Sequence, residues 1–143
     1  MPNILAGILW RLFFSKHYFN TMVNVFVVDD DEDLLEMVTL MLESSGMTVK
    51  SFHTGALLNK SINTVFPDIL LMDIFLGDND GRDLCRRLKT EPGYNGFPII
   101  LYSAGEVPTA SITASGADSF IKKPFEMSDL LSHIHQQIEK KDR

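Results

Sequence analysis

The chain has 143 residues, a formal net charge of -6, 45% hydrophobic and 22% charged residues, proportions that suit one globular domain with one substantial core. The acidic balance supplies no global basic field, which argues against direct nucleic-acid binding but leaves a DNA-binding partner open. A single cysteine, Cys85, excludes an internal disulfide and a cysteine-built zinc site, and suits a reducing cytoplasm.

The first 22 residues read differently from the rest. Ile4 to Phe14 is apolar except for Arg11, too short and too interrupted for a membrane span. It has no basic flank before it and no small-residue cleavage site after it, which argues against a secretory signal. Three readings stand. The natural start is Met22, just before the first strand, with the preceding residues an artefact. Alternatively, Ile4, Leu5, Ile8, Leu9 and Leu12 form a helical stripe that docks on the domain or on a second copy. The third is a weak membrane-surface helix, for which only Arg11 and Lys16 carry positive charge. The expected organisation is an N-terminal extension over 1–22 and one domain over 23–143.

From Val23 the chain alternates strands and helices. Val23 to Val28 is apolar apart from Asn24 and runs into Asp29-Asp30-Asp31-Glu32-Asp33. This predicts a buried strand, a loop, and a helix whose acidic first turn suits its positive end. Leu34, Leu35, Val38, Leu40, Met41 and Leu42 give that helix a wide apolar face, and Gly46 stops it. Thr48 to Phe52 is a short strand. Thr54 is an N-cap for a helix to about Ile62, with Leu57 and Leu58 facing inward. Ile69 to Met72 is a continuous apolar run, as in a strand buried on both faces, and it ends on Asp73. Gly81 leads into a helix over Arg82 to Lys89, with Leu84 and Leu88 on one face. Glu91 to Gly96 is a loop, and Pro98 to Ser103 is a fourth buried strand that ends on a hydroxyl. Pro108 and several Ser and Thr residues make 105–115 poor in helix formers, so only a short helix from Thr109 is expected. Gly116-Ala117-Asp118 is a turn, Ser119 to Ile121 a strand ending near Lys122-Lys123-Pro124, and Ser128 to Lys140 the last helix, with Leu130, Leu131, Ile134 and Ile138 as its core stripe. The order is (βα)5.

In a parallel sheet all the strands' carboxyl ends share one edge, where open α/β sheets place their ligand sites. Asp29 and Asp30 follow the first strand here, Asp73 ends the third, Ser103 the fourth, and Lys123 follows the fifth. Three carboxylates brought together disfavour their own ionisation unless a cation intervenes. Oxygen ligands suit a hard ion such as Mg²⁺, a lysine suits a phosphate oxygen, and a serine can donate one more hydrogen bond. The set describes a phosphoryl-transfer site with a carboxylate nucleophile.

These residues are similar to a known family. Val27-Val28-Asp29-Asp30-Asp31, Leu71-Met72-Asp73-Ile74-Phe75-Leu76, Asp80-Gly81, Ser103-Ala104 and Lys123-Pro124-Phe125 resemble the receiver domain of bacterial two-component response regulators, in its stand-alone, chemotaxis-regulator-like form. The resemblance covers about Val23 to Lys140. It implies a flavodoxin-like three-layer sandwich with a parallel five-stranded sheet of order 2-1-3-4-5, an order the fold's general description already attaches to a chemotaxis receiver. It implies that Asp73 is the phosphoacceptor, taking a phosphoryl group from a sensor histidine kinase or a phosphotransfer protein. Mg²⁺ is then the cofactor, held by Asp29 (mainly through water), Asp30, Asp73 and the Phe75 carbonyl. Phe75, Ser103, Ala104 and Lys123 bind the phosphoryl group, Ser103 and Phe120 form the switch, and Lys123-Pro124 is a cis peptide. The activity is a phosphotransfer and autodephosphorylation half-reaction, not turnover of an external substrate. The expected setting is cytoplasmic, with a separate, unknown protein as target, no direct nucleic acid and no membrane span. The resemblance allows a phosphorylation-dependent homodimer.

The chain departs from the family's pattern in places. Ser103 replaces the commoner threonine and keeps a hydroxyl. Gly77 stands where proline is usual, which predicts a more mobile loop. Phe120 replaces the common tyrosine and can act only by packing. Asp78-Asn79-Asp80-Gly81 does not fit a calcium loop, because the first and last ligand positions are Leu76 and Arg87; a turn or helix-cap role for Asp80 is expected. His133 and His135 face different ways on a helix and form no chelate, and Cys85 is expected to be a core or boundary thiol. Two other functions compete. A haloacid dehalogenase-like phosphatase needs an aspartate two residues after the nucleophile, and Phe75 stands there. A pseudo-receiver that only scaffolds partners would not need the Asp29, Asp30, Asp73, Ser103 and Lys123 set.

Overall fold

The computed structural model describes residues 23–94 and 96–141. The expectations for 1–22 lie outside the described residues. Five strands and five helices alternate: β1 (Asn24–Val28), α1 (Glu32–Ser44), β2 (Thr48–Phe52), α2 (Gly55–Ile62), β3 (Ile69–Asp73), α3 (Gly81–Thr90), β4 (Ile99–Ser103), α4 (Thr109–Ser115), β5 (Ser119–Lys122) and α5 (Met127–Lys141). The strands form one parallel sheet in the order β2-β1-β3-β4-β5. The expected (βα)5, flavodoxin-like architecture is the observed one.

The strand sequences explain the layering. Side chains alternate faces along a strand, so an all-apolar strand must bury both. Every residue of β3 and β4 is buried. Val25, Val27, Ile69, Leu71, Ile100 and Tyr102 join Leu35, Val38 and Leu42 of α1 and Leu130, Ile134 and Ile138 of α5 in one core. Phe26, Val28, Leu70, Met72, Ile99 and Leu101 join Leu58 and Ile62 of α2 and Leu84, Cys85 and Leu88 of α3 in the other. Each fully buried aliphatic or aromatic side chain is worth roughly 1.5–3 kcal/mol relative to exposure. Because a slip of one residue would exchange the two faces, this burial fixes the register and therefore where each strand ends.

Thr54 and Asp80 take the cap roles expected of them, and Asp31, expected only as part of an acidic first turn, is a cap as well. Asp31, Thr54 and Asp80 cap α1, α2 and α3, their side chains accepting from the backbone N–H groups of Leu34, Leu57 and Arg82. Two apolar assignments are corrected. Leu40 is exposed on α1 and Leu57 on α2. A helix lying on one face of a sheet buries a narrow stripe; Leu35, Val38 and Leu42 fill it in α1, and Leu58 and Ile62 in α2, so Leu57, about 100° round the helix from Leu58, and Leu40, about 160° from Val38 and Leu42, point outward. The short helix expected from Thr109 is present as the seven-residue α4, with Pro108 at its N-cap and no side-chain cap bond there.

Candidate functional site

The register brings the carboxyl ends of β1, β3, β4 and β5 to one edge. Val28 pairs with Met72, Asp73 with Tyr102, and Ser103 with Lys122. Asp29, Asp30 and Asp73 therefore meet there, and one carboxylate oxygen from each lies within 4.8 Å of the others. Asp29 and Asp73 are buried and Asp30 is exposed, so the cluster opens to solvent on the Asp30 side.

Lys123 enters this cluster from the loop after β5, held by its backbone N–H to the Ser103 carbonyl at 2.9 Å. Its Nζ lies 3.0 Å from Asp73 Oδ2 and 3.1 Å from Asp29 Oδ2. The Lys123-Pro124 peptide is cis, as expected. Asp73 Oδ1 accepts from the Phe75 N–H at 3.1 Å. Burial raises the Asp73 pKa above the ordinary carboxylate value; Lys123 and the Phe75 N–H lower it in part, and Asp29 raises it. A buried acid with like-charged neighbours and one ammonium is short of positive charge. The three oxygens offer the hard donor set that Mg²⁺ takes, so the residues present fit such an ion.

Ser103 and Phe120 sit close by without joining the cluster. Ser103 is fully buried, and its Oγ accepts from the Gly105 N–H at 3.2 Å. Phe120 is half-buried against the core on the α2 and α3 side. Phe75 is 52% exposed, with the Arg82 guanidinium 6.0 Å from the centroid of its ring. Ala104 lies instead on a groove of about 420 Å³ with Leu34, Met37, Lys123, Pro124 and Phe125.

The loop after β3 is pinned, against the mobility expected from Gly77. Gly77 has φ +69, and the Asp78 N–H bonds back across it to the Leu76 carbonyl at 2.6 Å, the form of a γ-turn. The Asp78 carboxylate then accepts from the N–H groups of Gly55 and Ala56 at the start of α2, at 3.2 and 3.3 Å. Phe75 and Asp80 form an antiparallel bridge, and the Asp80 carboxylate holds Arg82 through two hydrogen bonds. Asp80 thus has the cap role expected of it.

One participant was not legible in the sequence. Tyr102 is wholly buried, and its hydroxyl donates to Asp29 Oδ2 at 2.6 Å. Lys123 Nζ lies 4.6 Å from the centroid of its ring. Burial, and then the Asp29 charge, hold the Tyr102 phenol well above its usual pKa, so it stays a donor. Its signal was a phenol in an otherwise aliphatic buried strand, since a buried hydroxyl needs a partner.

Comparison with known proteins agrees with this geometry. Residues 25–135 match the family model of the response regulator receiver domain. The DNA-binding response regulator MtrA of Mycobacterium tuberculosis (strain ATCC 25618 / H37Rv) is 31% identical over 121 residues, 82% of this chain and 51% of that protein. The heme response regulator HssR of Staphylococcus epidermidis (strain ATCC 12228 / FDA PCI 1200) is 33% identical over 115 residues, 79% of this chain and 50% of that protein. The chain thus spans about half the length of the curated relatives it matches. Among solved structures, a CheY-like receiver domain protein from Methanospirillum hungatei JF-1 superposes with a TM-score of 0.77 at 27% identity, over 84% of this chain and 96% of that one. A receiver domain from Bermanella marisrubri gives 0.72 at 26% identity, over 80% and 97%. Among the described residues no helix is long and apolar enough to cross a membrane. With an acidic cluster and a lysine at one edge of a β2-β1-β3-β4-β5 sheet, and a family model matched along most of its length, this chain belongs to the response regulator receiver domain family.

Proposed function

We propose that Asp73 accepts a phosphoryl group from a phosphohistidine of a sensor kinase or phosphotransfer protein. An ionised Asp73 oxygen attacks phosphorus, a P–O bond forms, the P–N bond breaks, and the leaving imidazole nitrogen takes a proton. The observation that carries this reading is the contact of Lys123 Nζ with both Asp73 and Asp29, beside the carboxylate of Asp30. Asp30, Asp73 and the Phe75 carbonyl would hold Mg²⁺, with Asp29 acting mainly through water. When bound, the ion neutralises the carboxylates and the transferring oxygens.

Lys123 already stands beside Asp73 and stays with the added phosphoryl group. The Ser103 hydroxyl, now bonded to the Gly105 N–H, turns to a phosphoryl oxygen near the Phe75 and Ala104 backbone and draws its loop inward. Phe120 then packs deeper against the core, and the face of α4, β5 and α5 changes shape. The acyl phosphate selects one of two arrangements that already exist. The domain is taken as 23–143, with 1–22 an extension. The net charge of -6 favours a protein target for that face over nucleic acid, including a second phosphorylated copy. The setting is cytoplasmic, where the kinase presents its phosphohistidine.

The test is incubation with Mg²⁺ and acetyl phosphate, followed by intact mass. One phosphoryl adduct is expected, labile to hydroxylamine and absent from Asp73→Asn. No adduct with any donor or kinase overturns the reading, and sustained release of phosphate from many substrates indicates a hydrolase instead.

A further inference from the structure

We propose that Tyr102 is a positioning residue that competes with a divalent cation for Asp29 and so weakens cation binding in the unphosphorylated domain. The proposal rests on reading the acidic cluster as a cation site, but not on Asp73 being the phosphoacceptor.

The contacts of Asp29 carry it. Asp29 Oδ2 accepts from the Tyr102 hydroxyl at 2.6 Å and from Lys123 Nζ at 3.1 Å. Those two donors take both of its lone-pair directions. Asp29 Oδ1 accepts from the Asp31 N–H at 2.9 Å. Only Oδ1 keeps an acceptor direction for an ion or its water.

Donors and cations draw on the same negative charge. A donor worth more in the cation-free state than in the cation-bound state lowers cation affinity by that difference. Lys123 has a second partner in Asp73 and can shift toward it. Tyr102 is wholly buried within β4, its ring set edge-on to Phe125 at 5.9 Å between centroids, and the other acceptor in reach of its hydroxyl, the Val28 carbonyl, lies at a long 3.5 Å, so its hydroxyl has far less freedom than the lysine. It keeps Asp29 turned toward the strand.

Tyr102→Phe retains the ring, its core contacts and the Phe125 contact while opening Asp29 Oδ2. Calorimetric titration with Mg²⁺ alone is expected to show binding about three- to tenfold tighter than wild type, part of the worth of one hydrogen bond to a charged group. If the hydroxyl acts through Asp29, the gain vanishes when Tyr102→Phe is placed on an Asp29→Asn background; a general packing effect would persist there. Equal or weaker binding by Tyr102→Phe overturns the proposal while leaving the cation site intact. No Mg²⁺ binding by the wild type overturns the site and the proposal together, and neither result touches the acetyl phosphate test of Asp73.

The wild-type protein supplies a second readout that needs no variant. The Tyr102 hydroxyl proton is expected as a slowly exchanging, downfield proton resonance that moves on addition of Mg²⁺. A resonance unmoved at saturating Mg²⁺, or none at all, overturns the proposal.

Discussion

Lys123 Nζ lies 3.0 Å from Asp73 Oδ2, two groups fifty residues apart in sequence and joined at the edge of one sheet. Lys123 is the only ammonium or guanidinium among the described residues paired with either buried carboxylate. It therefore holds together a cluster that would otherwise repel itself. Lys123→Met keeps the stem and removes the charge. It is expected to cost about 2 kcal/mol or more, because one partner of a buried pair is lost while the other charges remain. Urea denaturation should show the loss shrinking at high Mg²⁺, where the ion takes over the neutralising role. A deficit independent of Mg²⁺ would mean that Lys123 acts through packing alone.

Asp73→Asn is expected to stabilise the unphosphorylated domain at neutral pH, on the order of 1 kcal/mol. Burial raises the folded-state pKa of Asp73 above the ordinary value of 3.8. Between those two values the folded state binds more protons than the unfolded state, so the stability of the wild type rises as pH falls. The ionised carboxylate is thus a cost at neutral pH. It is relieved as pH falls through the raised pKa, and the effect is complete below the ordinary value. The melting-temperature advantage of Asp73→Asn should shrink over that window. An advantage that stays constant with pH would contradict the assignment of the cost to the Asp73 charge.

The sequence carried the sheet and the acids because both depend on local pattern. Apolar runs ending on Asp29, Asp73 and Ser103 announce buried strands and what stands at their ends. Tyr102 and the exposed Leu40 and Leu57 depend on what lies opposite, which no local pattern holds. Tyr102 occupies an inward position like that of Ile100, and only the pairing of β4 with β3 and of β3 with β1 carries its hydroxyl to Asp29. The Gly77 loop follows the same logic. Glycine there suggests freedom, while Asp78 ties the next residue to α2 through contacts 22 and 23 residues away.

Gly77 and Gly81 flank that loop and should respond differently to alanine. At Gly77 the φ of +69 disfavours any side chain, yet a Cβ would approach only Asp30 Oδ2, at 3.5 Å. The backbone cost is roughly 1–2 kcal/mol. Proline there is expected to cost more, since its ring fixes φ near -65°. At Gly81 a Cβ would lie 2.2 Å from the Asp73 carbonyl oxygen and 3.0 Å from Ile74 Cα. Both are backbone, so relief requires moving Asp73 itself. Gly81→Ala should therefore destabilise more than Gly77→Ala in denaturant and also slow phosphorylation by acetyl phosphate. The reverse order would place the tighter constraint at the γ-turn.

Cys85 is buried on the inner face of α3, and burial pushes its thiol pKa up to about 11. At pH 8 only about one molecule in a thousand then carries the reactive thiolate, against roughly a quarter of free cysteines at their usual pKa near 8.5. The sulfur is also closed to solvent, so a thiol reagent must wait for the helix to leave the sheet. In native buffer, labelling by a water-soluble disulfide reagent is expected to be slower than that of a free thiol by a factor of about a hundred or more, and to accelerate with urea in step with unfolding. The Lys123→Met domain should label faster than wild type in the absence of Mg²⁺ and slow toward it when Mg²⁺ is added, because stability lost at the acidic cluster lowers the cost of opening α3. Rapid labelling of the wild type at native stability would mean that α3 opens locally, uncoupled from the strand that carries Asp73.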